Sequence, residues 1–262
     1  MSDAAATVKP VYFELSWSIL SSIGMINVLY GLLIVGITSL NPISAVPIVV
    51  STAGALANGL CYYSAYGHYS PIPTVVAGVF ADAFWLVQEA GVSFYSYQIL
   101  TRVLAHRERK LFLGCFWTMI TIIVCIRLMI LSSRVLDNLN STSTYQYRID
   151  HLHIGYFTSI AIIESISSAF LLRIFLAAKR TSLEVRSKGN LFQHLVRSTE
   201  IRVASLGLVG ITRAITYTFQ TTAQSAESVA NEVDRFAYTL ECMFPILLMI
   251  DILASRMLGG NQ

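Results

Sequence analysis

Residues 17–38 read WSILSSIGMINVLYGLLIVGIT. These 22 positions hold no Asp, Glu, Lys, Arg or His. At about 1.5 Å of rise per residue such a helix is about 33 Å long, enough to cross a hydrocarbon core of about 30 Å. The stretch therefore predicts a membrane-spanning helix. Apolar length predicts six more, at 43–65, 73–98, 111–133, 153–177, 199–219 and 236–256. The sixth is the weakest, because Arg202 and Arg213 interrupt it.

The composition agrees. Of 262 residues, 55% are apolar or aromatic and 13% charged, against about 25% charged in soluble domains. Seven spans of about 21 residues would use about 147 positions, which matches the apolar share. The expected fold class is all-α: one polytopic membrane domain over 1–262, a seven-transmembrane-helix bundle in contact with the lipid bilayer. Residues 1–16 lack the basic start and cleavage site of a signal peptide, so the first span is expected to stay attached. No inverted or parallel repeat relates the two halves, which argues against a transporter.

Net charge is +3, with only four lysines among 18 basic residues. No basic–aromatic stripe suggests nucleic acid. Cys61, Cys115, Cys125 and Cys242 all lie in apolar runs. They are expected to be buried thiols, with neither a disulfide nor a zinc site.

Orientation follows from Lys and Arg in the loops. The loop after the third span carries Arg102, Arg107, Arg109 and Lys110; that after the fifth carries Lys179, Arg180, Arg186, Lys188 and Arg197. Both are expected in the cytosol. The loop after the sixth carries Glu227, Glu232 and Asp234 with Arg235 at its end, and that after the fourth has only Arg134 and Arg148. Both are expected on the lumenal side. Asn140-Ser141-Thr142 in the latter is an N-glycosylation acceptor. The amino end is thus expected in the lumen and the carboxyl end in the cytosol.

Charges inside the bilayer cost about 2.5–3.5 kcal/mol each on insertion scales and face a partner or a cavity. The expected spans hold Asp82 and Glu89, Arg127, Glu164 and Arg173, Arg213, and Glu241 and Asp251. Asp82 and Glu89 are two helical turns apart, on one face about 10 Å apart along the axis, with Trp85 between them. Glu89 and Glu164 fall near mid-membrane and Glu241 in the lumenal half. Pro245 cannot donate to the carbonyl of Glu241, so a kink and a free acceptor are expected there. Phe84, Trp85, Tyr217 and Tyr238 lie near these carboxyls and could line a pocket whose ring faces attract a cation. Other tyrosines read as interfacial belt residues. The competing reading is structural: Arg127 and Arg213 link to Asp82, Glu89, Glu164 or Glu241, while Asp251 and Arg173 serve as structural charges near the cytosol.

Missing motifs exclude several classes. No lysine lies inside a span to form a retinal Schiff base. No Asp-Asp pair is present to hold magnesium diphosphate. His68, His106 and His194 read as loop or interface residues, and His151-Leu152-His153 as an interfacial pair at the mouth of the fifth span. No metal site and no cofactor is expected.

The segments Ala81-Asp82-Ala83-Phe84-Trp85-Leu86-Val87-Gln88-Glu89-Ala90 and Tyr238-Thr239-Leu240-Glu241-Cys242-Met243-Phe244-Pro245, with the chain's size, helix count and short loops, resemble the small seven-span fungal integral membrane terpene cyclases of meroterpenoid gene clusters. Where the better-known members carry an adjacent Trp-Glu pair, Trp85 and Glu89 here stand one turn apart. The resemblance implies a metal-independent lyase or isomerase of secondary metabolism in the endoplasmic reticulum membrane. Its substrate is a hydrophobic small molecule, a prenylated chain often epoxidised and joined to an aromatic head. A protonated acid starts ring closure. Glu89 or Glu241 is the expected proton donor, assisted by Asp82, with Glu164 in reserve; Trp85, Phe84, Glu164, Tyr217 and Tyr238 are expected at the substrate. A carboxyl in a dry apolar pocket can hold a proton at neutral pH, aromatic faces stabilise cations, and exclusion of water prevents early quenching. A seven-helix receptor or sensor, and an accessory or transport protein of such a pathway, are the alternatives.

Overall fold

The computed structural model describes residues 16–66, 70–140, 144–184, 201, 205, 207–216 and 229–260. Among the described residues there are eight helices and no strand: α1 Ser16–Ile37, α2 Pro42–Tyr66, α3 Pro71–Gly91, α4 Ser93–Val103, α5 His106–Asn140, α6 Gln146–Glu184, α7 Gly207–Thr216 and α8 Val229–Gly260. Six of them, α1, α2, α3, α5, α6 and α8, are long and apolar enough to cross a membrane. This suits a multi-pass membrane protein. Of the expected sixth span, 199–219, residues 201, 205 and 207–216 are described, and all are helical.

The helix ends depart from the expected boundaries. Apolar length finds only the part of a helix that sits in hydrocarbon, and α5 and α6 run well beyond it, to 35 and 39 residues. Arg134 and Arg148, read as loop residues, are therefore helical, and so are Glu232 and Asp234, because α8 starts at Val229, ahead of the expected boundary at 236. The expected third span is two helices. Val92 keeps helical dihedrals (φ −55°, ψ −39°), but Tyr95 N–H donates to the Val92 carbonyl at 3.0 Å, and this tighter three-residue step separates α3 from α4.

Local chemistry sets the starts. At α2 the Asn41 side chain accepts from the N–H groups of Ile43 and Ser44 at 2.9 and 3.0 Å. Pro42 follows at the position where a missing N–H costs nothing. Tyr145 N–H donates to Asp137 at 3.1 Å, closing the link from α5 to α6.

Small residues let the helices approach closely. A β-carbon at Gly24 of α1 would meet the Ala55 backbone nitrogen of α2 at 2.9 Å. The outer surface is apolar: Leu29, Leu33, Leu111 and Ile211 are exposed. The interior is mixed. An aromatic core lies where α4, α5 and α6 meet, with Tyr97 and Phe116 ring centroids 4.6 Å apart. Buried Asp82, Glu89, Arg127, Arg213 and Glu241 lie elsewhere inside the bundle. This apolar-out, polar-in arrangement suits lipid as the surrounding medium.

The cysteine expectation holds for Cys61 and Cys242, which are buried, and fails for Cys115 and Cys125, which are exposed on α5. An apolar run places a thiol in a span without saying which face it takes. His153 is also corrected. Because α6 begins at Gln146, this histidine is two turns inside the helix, buried, with Nδ1 2.8 Å from the Ile149 carbonyl. His151 is exposed, as expected of an interfacial residue.

Candidate functional site

Three pairs of charged residues, each seven apart, line the inside of three helices: Asp82 and Glu89 on α3, Arg127 and Arg134 on α5, and Asp234 and Glu241 on α8. Seven residues is close to two turns, so each pair shares a face. The antiparallel helices α3 and α5 then match in register. Asp82 Oδ1 accepts from Arg134 at 2.7 Å and from Arg127 at 2.9 Å. Arg127 Nε also donates to the Asp82 carbonyl at 3.3 Å, and its Nη1 stands 3.7 Å from Glu89 Oε2.

Arg213 of α7 completes the network. Its Nη1 donates to Glu89 at 2.9 Å and to Glu241 at 2.7 Å, and its Nε to Asp234 at 3.3 Å. Thr216 steadies Asp234, donating at 3.2 Å. A continuous chain of opposite charges thus runs from Arg134 through Asp82, Arg127 and Glu89 to Arg213, Glu241 and Asp234, tying α3, α5, α7 and α8 together. Among the described residues, three guanidiniums meet four carboxyls in this chain of contacts. Such groups persist in a dry interior only when paired.

The aromatic rings cover the guanidiniums. Arg213 lies 3.9 Å from the Phe157 centroid and 5.0 Å from that of Tyr238; Arg127 lies 5.6 Å from Trp85 and 5.2 Å from Tyr156. Trp85 and Tyr238, both expected at the substrate, thus each have a guanidinium near the ring.

A second polar hub is neutral. Tyr238 hydroxyl accepts from Trp85 Nε1 at 2.7 Å and from Asn58 Nδ2 at 3.0 Å, and donates to Gln88 Oε1 at 3.0 Å. This uses its one proton and two lone pairs. Gln88 reaches the Cys242 sulfur at 3.2 Å, and Asn27 donates to the Cys242 carbonyl at 3.2 Å, one residue past the carbonyl that Pro245 leaves free.

Glu89, Glu164 and Glu241 line one narrow cleft with Arg213 and Phe157. Its volume is about 30 Å³, the share of a single water in the liquid. The structure therefore brings Glu89, Glu241 and Glu164 together, places Asp82 one arginine away, and sets Trp85 and Tyr238 beside them. Phe84 is half-buried on another side of α3, about 200° around the helix from Asp82. Tyr217 lies outside the described residues. Asn140 is exposed at the end of α5, while Ser141 and Thr142 of its acceptor motif lie outside the described residues. Arg173 pairs with Glu108 at 3.1 Å near the surface. No group of three or more His, Cys, Asp or Glu among the described residues is placed to hold a metal ion.

Sequence reasoning missed Arg134, Asp234, Asn58, Gln88 and Tyr156. For the first two a signal existed: the seven-residue spacing to Arg127 and to Glu241 repeats that of Asp82 to Glu89. Comparison with protein-family models, with curated proteins and with solved structures finds no match for this chain.

Proposed function

We propose that this protein is a membrane-bound, metal-independent terpene cyclase, a seven-span bundle with its amino end in the lumen and its carboxyl end in the cytosol. In this reading Glu89 or Glu241 delivers a proton to the epoxide or olefin of a prenylated substrate. The observation that carries the reading is the convergence of Glu89 and Glu241 on Arg213 beside the cleft they share with Glu164. Glu89 and Glu241 share one nitrogen of Arg213, and a proton on one of them relieves the repulsion of two carboxylates held side by side in a dry interior. An acid held this way is a proton source in an apolar setting. Arg213 then stabilises, by the hydrogen bond it donates, the carboxylate left when the acid gives up its proton.

One observation favours a second reading, a seven-helix receptor or sensor. Each of Asp82, Glu89, Asp234 and Glu241 is tied to an arginine, and the adjoining cleft holds little more than a water. Ion pairs joining α3, α5, α7 and α8 would act there as a lock between two helix arrangements.

Microsomes expressing the chain, incubated with an epoxyfarnesyl-aryl compound, test the first reading. A cyclised product absent from control microsomes is expected, and no conversion at normal protein abundance counts against it. A reporter fused after Asn261 tests the orientation: it should be digested by protease added outside sealed microsomes, and protection would overturn the seven-span arrangement.

A further inference from the structure

A second cavity, far larger than the acid cleft and open along its outer side where Val49 and Val87 are exposed, lies between α2, α3, α4 and α5. Its volume is about 400 Å³, within the range of about 300–1,000 Å³ typical of small-molecule sites. Val46 of α2, Val87 and Ala90 of α3, Phe94 of α4 and Val124 of α5 line it. Among the described residues that line it, Gln98 of α4 alone carries a polar side chain. Gly91 of α3 and Val50 of α2 close its wall where the two helices touch: a β-carbon at Gly91 would meet Val50 at 3.0 Å.

Gln98 points to the ligand. Its backbone carbonyl accepts from Thr101 at 3.4 Å, and its carboxamide has no hydrogen-bond partner among the described residues. A half-buried carboxamide within an apolar wall offers one acceptor and two donors to whatever enters. No ionisable group lines the cavity, so a charged head would be desolvated without compensation. Gln98 and Pro42 mark the end where α2 starts and α4 finishes. From Gln98 to Leu86 the cavity is at most about 18 Å long, the reach of about fourteen carbons in an extended chain.

We infer that this cavity binds a single apolar chain ending in a neutral hydroxyl, of the fatty or isoprenoid alcohol class, with the hydroxyl on Gln98 and the chain running toward Val87 and Val124. Ala90 follows Glu89 by one residue and sits about 100° around α3 from it, so the chain lies on a different face from the acids. The site goes beyond the proposed reaction, and binding is read without turnover, so the two can fail separately.

The test uses the full chain in nanodiscs and a diazirine-bearing farnesol, with labelled peptides identified by mass spectrometry. Saturable labelling of α2 to α5 at the cavity is expected, competed by unlabelled farnesol or tetradecanol; the stronger competitor identifies an isoprenoid or a linear chain. Ala90→Phe and Val46→Phe, which fill the cavity from two different helices, should each lower labelling at least tenfold in protein that elutes as the wild type does. Gln98→Leu should weaken competition by either alcohol about fivefold. Labelling that does not saturate, or that persists in whichever filling variant folds, overturns the site. A plain hydrocarbon competing as well as the alcohols, or no effect of Gln98→Leu, overturns the role of the hydroxyl.

Discussion

Glu89 of α3 and Glu241 of α8 accept hydrogen bonds from the same nitrogen, Nη1 of Arg213, at 2.9 and 2.7 Å. Two carboxyls far apart in the chain are thereby held beside one cation, and α7 is anchored to both helices through a single side chain. The stability of the bundle and the chemistry proposed for it depend on the same three groups.

Arg213→Met should be strongly destabilising. It removes the partner of Glu89, Glu241 and Asp234 at once. Breaking a buried pair from one side costs about 3–5 kcal/mol. Thermal unfolding of the detergent-solubilised protein should show a large drop in midpoint, with reduced abundance in membranes. An unchanged midpoint would mean that the network does not hold the helices together.

Asp82→Asn and Glu108→Gln should separate inside from outside. Asp82 holds Arg127 and Arg134 with 2% of its side chain exposed, whereas the Arg173–Glu108 pair has side chains 72% and 40% exposed. The first change should cost several-fold more than the second, whose class of pair contributes about 0–1 kcal/mol. Equal midpoints for the two variants would contradict the burial of the α3–α5 pairing.

Tyr238→Phe keeps the ring and removes the hydroxyl that serves Trp85, Asn58 and Gln88. Leaving buried polar groups unsatisfied costs about 1–3 kcal/mol. A lower unfolding midpoint and a shifted tryptophan emission are expected together, because Trp85 loses its indole partner.

Gly24→Val should disrupt the contact of α1 with α2, since its β-carbon would press on the Ala55 backbone. Overpacking of this kind costs about 1–3 kcal/mol, more where backbone must move. Gly36→Ala is the matched control: a β-carbon there meets nothing within 4 Å, and Ala in place of Gly favours a helix by about 0.5–1 kcal/mol. The two variants should move the midpoint in opposite directions.

The helices were legible because hydrophobic length is a local property. Residues 17–38 differ from α1 by one residue at each end. The common face of Asp82, Trp85 and Glu89 was legible for the same reason, since helical phase needs only spacing. The pairing of acids and arginines was open, because it depends on the register between helices distant in sequence. The end of α5 and the start of α8 were hidden by polar residues that continue a helix past its apolar run without a hydropathy signal, and this put Arg134 and Asp234 in loops. The step at Val92 carries no proline to announce it. That Arg127 and Arg213 lie over the rings of Trp85 and Tyr238 was not legible, because it too depends on which helices are neighbours.

The most direct measurement is turnover by Glu89→Gln and Glu241→Gln in microsomes, at matched abundance, on the epoxyfarnesyl-aryl substrate. Glutamine keeps the shape and most hydrogen bonding but cannot deliver an acid's proton. The variant that removes the donor should lose activity by about 10²–10⁴-fold, the range of general-acid contributions, while the other retains more. Normal turnover by both variants at normal abundance would contradict the assignment, and Glu164→Gln would then be the remaining test of an acid in this cleft.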